Sequence, residues 1–490
     1  MSDTAANVNA AETEYEPVVG MECHAELLTN SKMFCGCRNE FGGEPNTRCC
    51  PVCTGMPGAL PVMNIQAVEH VMRTAIALNC SINPHAKFDR KNYYYPDLPK
   101  GYQISEYDIP IGVTGWLDIE VNGQPKRIHI RRVHLEEDTG KLFHVAGDES
   151  FVDLNRSGVP LMEIVTDFPP DIQSAEEGRE YLTRLRSILT YIGVCDGKME
   201  EGSLRCEPNV SVRPVGSNTF GTKTEIKNLN SFRSVYKGIE FETQRQAELL
   251  RKGERVVQET RGWNDTRQVT FSQRSKEGEE EYRYFPEPDL VPLHITEDWI
   301  ERVRASMPEL PDARRARFIS EFALPPYDAG ILTDTRAVAD YFEETARLCG
   351  DAKTTSNWVM GDLAKLLNAS GTEIGASPIT PAALAEMIGL ITDGTISGKI
   401  AKQLIEEMYA TGGSPKTIVE EKGWKTIKDS GAVLAAVEKV FAANPNIITD
   451  IKVKGLVGKR GFLVGQVMRE TQGKADPGEV NRLIDEKLAD

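Results

Sequence analysis

No apolar stretch in the 490 residues approaches the roughly 18 that cross a bilayer, so the sequence excludes a membrane-spanning reading. The first fifteen residues hold no base and no apolar run, which excludes a secretory signal. They read as a disordered leader, and the chain is expected in the cytoplasm. Positive charge is in deficit: 57 Lys and Arg stand against 73 Asp and Glu, a net charge of −16. Such a chain does not bind nucleic acid indiscriminately, and any RNA contact must come from a local basic surface. Catalytic signatures are missing too. A P-loop fails on spacing, because Gly216 to Gly221 is followed by Thr222 and Lys223 arrives one position late. There is no G-x-S-x-G nucleophile elbow and no Ser-Ser-Lys run of the amidase kind. An enzyme of this sequence that consumes ammonia does not visibly make its own.

Hydrophobic residues make up 40% and charged residues 27%, a globular composition, and the length predicts two or three domains. From residue 16 to about 295, short alternating segments are separated by Gly, Pro, Asn and Asp, which predicts strands at 18–28, 127–135, 160–166, 203–212 and 221–228. Helical spacing interrupts them at 66–77, 174–192 and 233–251. Beyond about 296 helical patterns dominate, among them one over 331–348 opened by Thr333 and Asp334. The class is therefore α+β: a leader (1–15), a sheet-containing domain (16–295), a helical domain (296–411) and a helical tail (412–490).

Ten cysteines in a cytosolic chain do not suggest a disulfide framework, and five of them fall within nineteen residues. Cys35 and Cys37 form a C-x-C pair and Cys50 and Cys53 a C-x-x-C pair, with Gly42, Gly43, Pro45 and Asn46 between to turn the chain back. Four thiolates suffice for a tetrahedral structural zinc; the alternative is thiols without metal, and Cys49 is spare.

Strand alternation puts Met21, Cys23, Ala25 and Leu27 on one face and Glu22, His24 and Glu26 on the other. A second acidic set is His134-Leu135-Glu136-Glu137-Asp138. Glu163 sits inside the apolar run Leu161–Val165, where a carboxylate must be paired, protonated or metal-bound. Arg205 shares a face with Glu207, and Lys223, Glu225 and Lys227 share another. Such faces are either wet sheet surface or a platform where carboxylates hold magnesium and cations hold phosphates.

Longer strings carry a resemblance. Gly20-Met21-Glu22-Cys23-His24, the run from Cys50 to Asn64, Lys91 to Ser105, Asp153 to Leu161, Lys223 to Ser231, Tyr284 to Leu290 and Gly461 to Met468 are similar to the motifs of the B-subunit family of the aspartyl/glutamyl-tRNA amidotransferases. The resemblance covers nearly the whole chain after residue 16. Two departures stand out. Glu207-Pro208 follows Arg205-Cys206 where the family has Asp and a small apolar residue, so an edge strand or a bulge is expected there. Cys23 replaces an aliphatic residue.

The resemblance implies a cradle domain with a mainly antiparallel sheet, of the glutamine-synthetase catalytic kind, followed by helical and tail domains. It implies that ATP and magnesium phosphorylate the side-chain carboxylate of Glu or Asp esterified to tRNA, and that ammonia from an amidase (A) subunit then displaces phosphate. A small C subunit is implied as well. Matched to this sequence, His24 and Glu137 would bind magnesium, with Glu22 and Glu136 direct or through water. Glu163 and Glu201 would contact a second metal or orient ammonia. Asn155, Arg156, Lys223, Glu225 and Lys227 would hold nucleotide, with Arg205 also neutralising phosphate. In the tail, Lys452, Lys454, Lys459, Arg460, Arg469 and Lys474 stand against Glu470, the lone acid between residues 452 and 474, which reads as a tRNA footprint or as an ordinary solvated helix face. Two competitors remain: a stand-alone ligase acting on a free amino acid, and a non-catalytic tRNA-binding scaffold.

Overall fold

The computed structural model describes residues 13–144, 149–275, 279–426, 430–453, 456–471 and 473–489. Most of the expected leader, residues 1–12, lies outside them; Tyr15 already belongs to a strand. Two compact units meet at Leu310/Pro311.

In the first unit the strands are β1 (Tyr15–Glu26), β2 (Ser81–Ile82), β3 (His85–Ala86), β4 (Phe88–Asn92), β5 (Tyr102–Glu106), β6 (Gly112–Val121), β7 (Gln124–Glu137) and β8 (Lys141–His144). They continue with β9 (Ser150–Asp153), β10 (Pro160–Thr166), β11 (Leu204–Pro214), β12 (Thr224–Lys227), β13 (Glu259–Asn264), β14 (Val269–Ser275), β15 (Phe285–Pro286) and β16 (Leu293–His294). Twelve build one sheet ordered β14-β13-β12-β11-β1-β10-β7-β5-β4-β15, with β6 beside β7 and β2 beside β6. Its pairings are antiparallel except β12 with β13. β1 therefore lies inside the sheet, between β10 and β11.

One face of this sheet is apolar because the alternation is strict. Met21, Cys23 and Ala25 of β1, Met162 and Ile164 of β10, and Leu204 and Cys206 of β11 all enter the same core. Helices α1 (Ile65–Ala77), α2 (Ala175–Tyr191) and α3 (Phe232–Arg251) supply the other side through Val68, Val71, Met72, Leu182, Leu185, Leu189, Val235 and Ile239. Asn64, Ser174 and Ser231 cap these helices, each accepting from a backbone N–H of the first turn.

Two expectations are corrected. Pro208 makes neither a bulge nor an outer strand: β11 is internal, and its register with β1 runs unbroken through Met21↔Pro208. The paired register of β11 with β12 starts at Asn209, so the missing N–H falls where that ladder has stopped. The helix expected over 331–348 is two, Pro326–Leu332 and Arg336–Cys349, and Thr335 rather than Thr333 or Asp334 caps the second.

The helical pattern expected from 296 begins inside the first unit. Helix α4 (Glu297–Ala305) belongs to it, with Trp299 Nε1 donating to Glu69 at 3.0 Å. The second unit is helical throughout its described elements, and Gly412, left-handed at φ 66°, ends the helix Gly398–Thr411 near the softer expected boundary. A separate core in the tail gathers Val433, Val437, Leu463, Val467, Val480 and Ile484. Among the described residues no helix is long and apolar enough to cross a membrane.

The second unit holds one concentrated ion network. Glu343 accepts from Arg314 at 2.7 Å, Arg317 at 2.8 and 2.9 Å and Arg347 at 2.8 Å. Burial works to raise its pKa, and the three guanidiniums overrule it, down to about 2. A carboxylate depressed in the folded state stabilises above its unfolded pKa, roughly 4.3, and that contribution is lost as pH falls through about 2. Glu343→Gln is expected to flatten the acid limb of helix unfolding between those values; circular dichroism of the variant beside the parent chain checks it, and superimposable curves would refute it.

Candidate functional site

The face of the sheet opposite the core carries the charge. It floors a cleft of about 620 Å³ lined by β1, β7, β10, β11 and β12. His24 stands across from Glu163 on one side and Arg205 on the other, and Glu22 stands across from Glu207. Two groups of donors result. In the first, ligand atoms of His134, Glu136 and Glu163 lie within 4.8 Å of one another. His24 Nε2 joins them, 3.7 Å from Glu163 and 3.9 Å from Glu136. In the second, oxygens of Glu22, Glu207 and Glu225 lie within 4.8 Å of one another.

Cations and donors offset each group. His134 Nε2 is 2.9 Å from Glu163. Burial works to lower the His134 pKa, but Glu163 and Glu136 overrule it and raise it to about 9. Glu163 is held well below the usual range against burial by His134, His24 and Lys91. Partial burial works to raise the Glu207 pKa, yet Lys227 at 2.8 Å and His24 hold it down to about 2. Asn209 donates to Glu22 at 2.8 Å. Beyond His24, Arg205 pairs with Asp138, which Arg156 approaches at 3.6 Å. An aromatic wall stands nearby: Tyr107 and Tyr284 stack at 4.0 Å, and Lys91 Nζ lies 4.9 Å from the Tyr282 ring.

The cleft brings together Glu22, His24, Glu136, Glu163, Arg205, Lys223, Glu225 and Lys227. It does not bring in Glu137. Neighbours on a strand face opposite sides, so Glu136 enters the cleft while Glu137 turns behind it, accepting from Ile104 N–H at 3.0 Å and pairing with Lys100. There it lines a second cavity of about 200 Å³ with Cys35 and Cys53. Glu201 lies in an exposed turn and pairs with Lys198 at 3.0 Å. Asn155 is a loop anchor, accepting from Arg48 N–H and donating to the Glu44 carbonyl, both at 2.8 Å. Arg156 donates to the Thr139 and Gly140 carbonyls and reaches the cleft only through Asp138. The Gly216–Gly221 stretch connects two strands, a setting no P-loop has. His134 and Asp138 belong to the acidic set that the sequence singles out, but it gives them no role in the site, and the structure places both beside Glu136 in the cleft. Lys91 and Tyr284 open two of the family-like strings but receive no role from the sequence, and Tyr282 is missed.

The sulfurs of Cys35, Cys37, Cys50 and Cys53 lie within 4.8 Å of one another, an arrangement able to hold a metal. The hydrogen bond from Cys35 holds Cys53 down to about 5, while burial pushes Cys37 up to about 11. Gly42, Gly43 and Asn46, all at positive φ, turn the chain between the two pairs. Cys49 stays apart, donating to the Asn46 carbonyl.

In the tail, acids from outside the 452–474 window change the charge count. Lys459 pairs with Asp450 at 2.6 Å, Arg460 with Asp485, and Glu470 with Lys439. Lys452, Arg469 and Lys474 have no ion pair among the described residues, and Lys454 lies outside them.

A charged sheet face over an apolar core, followed by helices, has a family match. Residues 17–301 match the family described as the GatB/GatE catalytic domain, residues 340–488 match one described as the GatB domain, and the chain belongs to this family. Its relatives narrow the class. The B subunit of the aspartyl/glutamyl-tRNA(Asn/Gln) amidotransferase of Carboxydothermus hydrogenoformans is 54% identical, covering 97% of this chain and 99% of its own length. The protein of the same name from Moorella thermoacetica is 56% identical over 97% and 100%, and that of Brevibacillus brevis 55% over 97% and 99%.

Glu163 is the main source of positive charge on His134, so its neutralisation tests the electrostatics of the first group. With Glu163→Gln, burial is opposed by Glu136 alone, and the His134 pKa is expected to fall from about 9 toward or below the ordinary 6.5 or so. A proton NMR titration reads this directly, since the chain has 7 histidines; a His134 still titrating near 9 would refute it.

Proposed function

We propose that this chain uses ATP to phosphorylate the side-chain carboxylate of Glu or Asp esterified to tRNA, and that ammonia then displaces the phosphate to give Gln-tRNA(Gln) or Asn-tRNA(Asn). The names of its relatives, all B subunits of amidotransferases, support an enzyme of several subunits, in which an amidase (A) subunit supplies ammonia and a small C subunit completes the assembly. The observation that carries the reading is the pair of donor groups on either side of β1 in one cleft. A carboxylate is a poor electrophile because oxide is a poor leaving group, and phosphorylation supplies a better one. That step needs charge-neutralising groups on both sides of the transferring phosphoryl.

The donors fit magnesium in chemistry: hard carboxylate oxygens dominate, and the buried Nδ1 atoms of His24 and His134 have no hydrogen-bond partner among the described residues. Magnesium would be held by His24, Glu136 and Glu163, and by Glu22, Glu207 and Glu225, and when bound would offset phosphate charge. The chain's own groups do the rest. Lys227, oriented by Glu207, and Lys223 reach phosphate oxygens; Arg205, oriented by Asp138, neutralises the acyl phosphate. Glu163, held ionised, keeps His134 and His24 in place. The four cysteines are read as a structural zinc site, four soft donors with a closed shell. Lys452, Arg469 and Lys474 are the part of the tail best suited to tRNA phosphates, and the setting is the cytoplasm.

Co-expressed with its amidase and small subunits and given glutamine, ATP and magnesium, the chain is expected to convert Glu-tRNA or Asp-tRNA. Glu163→Gln and Glu207→Gln should each slow that conversion by roughly 10²–10³ while glutaminase activity persists, and Glu201→Ala should leave it unchanged. Full conversion by both Gln variants would remove the metal reading. Failure of the parent chain on both substrates would favour a scaffold, and turnover of free glutamate without tRNA a stand-alone ligase.

A further inference from the structure

We propose that Lys32 is the internal counter-cation of the four-cysteine centre, a positioning residue that keeps a metal there and ties the centre to the loop leading into β10. The inference rests on reading those cysteines as a zinc site. Four thiolates around one divalent cation leave two negative charges in a half-buried place, and water does not reach all of them.

Lys32 is placed to offset that charge. Its side chain is wholly buried, at 0% exposure. A buried ammonium is tolerated only beside an anion or with its donors satisfied. Its three donors have three acceptors: the Ser157 carbonyl at 2.7 Å, the Leu154 carbonyl at 3.3 Å and Cys53 Sγ at 3.7 Å. No carboxylate pairs with it among the described residues. The Glu137 carboxylate also faces Gly158, as Lys32 and Cys53 do, but it pairs with Lys100. Among the described residues, its one hydrogen-bond partner able to carry negative charge is therefore the Cys53 sulfur.

The same residue holds both ends of the cysteine loop. Its backbone N–H donates to the Cys37 carbonyl at 2.9 Å, while its ammonium reaches Cys53. Its carbonyl acceptors, Leu154 and Ser157, flank Arg156, which extends to Thr139, Gly140 and Asp138 at the end of the cleft. Ser157 Oγ also donates to the Cys53 carbonyl at 2.9 Å. A metal gained or lost at the cysteines would thus be felt by the loop that carries Arg156.

The test compares the full chain with Lys32→Met and Lys32→Arg. Zinc per chain is measured by elemental analysis, and affinity by competition with a chromophoric chelator. Partners of this kind typically change metal affinity about 10- to 100-fold. Lys32→Met is expected to bind zinc weaker by that range and Lys32→Arg to recover most of the loss. Thermal unfolding across a zinc series separates this from simple packing: mass action should close the gap between Lys32→Met and the parent as zinc rises. A gap equal at all zinc concentrations, a Lys32→Met chain that folds at none of them, or unchanged affinity would each overturn the proposal. A parent chain that binds no zinc would overturn the zinc reading itself, whereas zinc in the parent with unchanged affinity in Lys32→Met would overturn only the role of Lys32.

Discussion

The period of two along β1 governs the rest of the first unit. A strand offers its side chains to two faces in turn, and β1 is flanked on both edges, so each face extends across β10 and β11 in register. Met21, Cys23 and Ala25 are buried against α2 and α3, and a slip by one residue would drive Glu22, His24 and Glu26 into that core. The apolar face therefore fixes the phase of the charged one. The core is what aligns Glu22 with Glu207 and His24 with Glu163.

Gathering carboxylates this way runs against their mutual repulsion, and the site offsets it asymmetrically. The group around Glu163 has His134, raised to about 9, as an internal cation. The group around Glu207 has Lys227 and the neutral donor Asn209, with Thr260 donating to Glu225 at 2.7 Å. One side can thus change its charge by losing a proton from imidazole, while the other relies on a lysine. In the proposed reading, with a cation on each side of a transferring group, the two sides would respond differently to pH.

Where the chain alternates regularly, the sequence is legible. β10 falls on its expected residues, and the isolated Glu163 in an apolar run correctly signals a paired acid, which is half-buried. The choice between Glu136 and Glu137 is not legible, for two physical reasons. Arg131 is an extra residue on β7 opposite Val165 and Thr166, so the phase of the earlier part of the strand does not carry into its end. Residues 133 to 137 are also buried on both faces, which erases the apolar-polar contrast that would reveal the phase. Asn155 lies inside a family-like string and Glu201 just before the start of β11, but they occupy a loop and a turn, where periodicity says nothing about direction. The net charge of the tail is not legible for a related reason: Asp450 and Asp485 lie outside the window of bases and reach it only after folding.

The Glu207-Pro208 pair shows how the sheet absorbs an irregularity at its most charged point. Proline removes a donor, and β11 has partners on both sides, so one of the two ladders must be incomplete. The β1 ladder passes through Pro208 without a shift, while the short β12 engages β11 only from Asn209 onward. The loss therefore falls on the weaker neighbour. Glu207 sits just outside that last pairing, where its longer side chain extends to Lys227 at the end of β12. An ion pair thus spans the place where the backbone ladder stops, and it leaves the carboxylate beside Glu22 and Glu225.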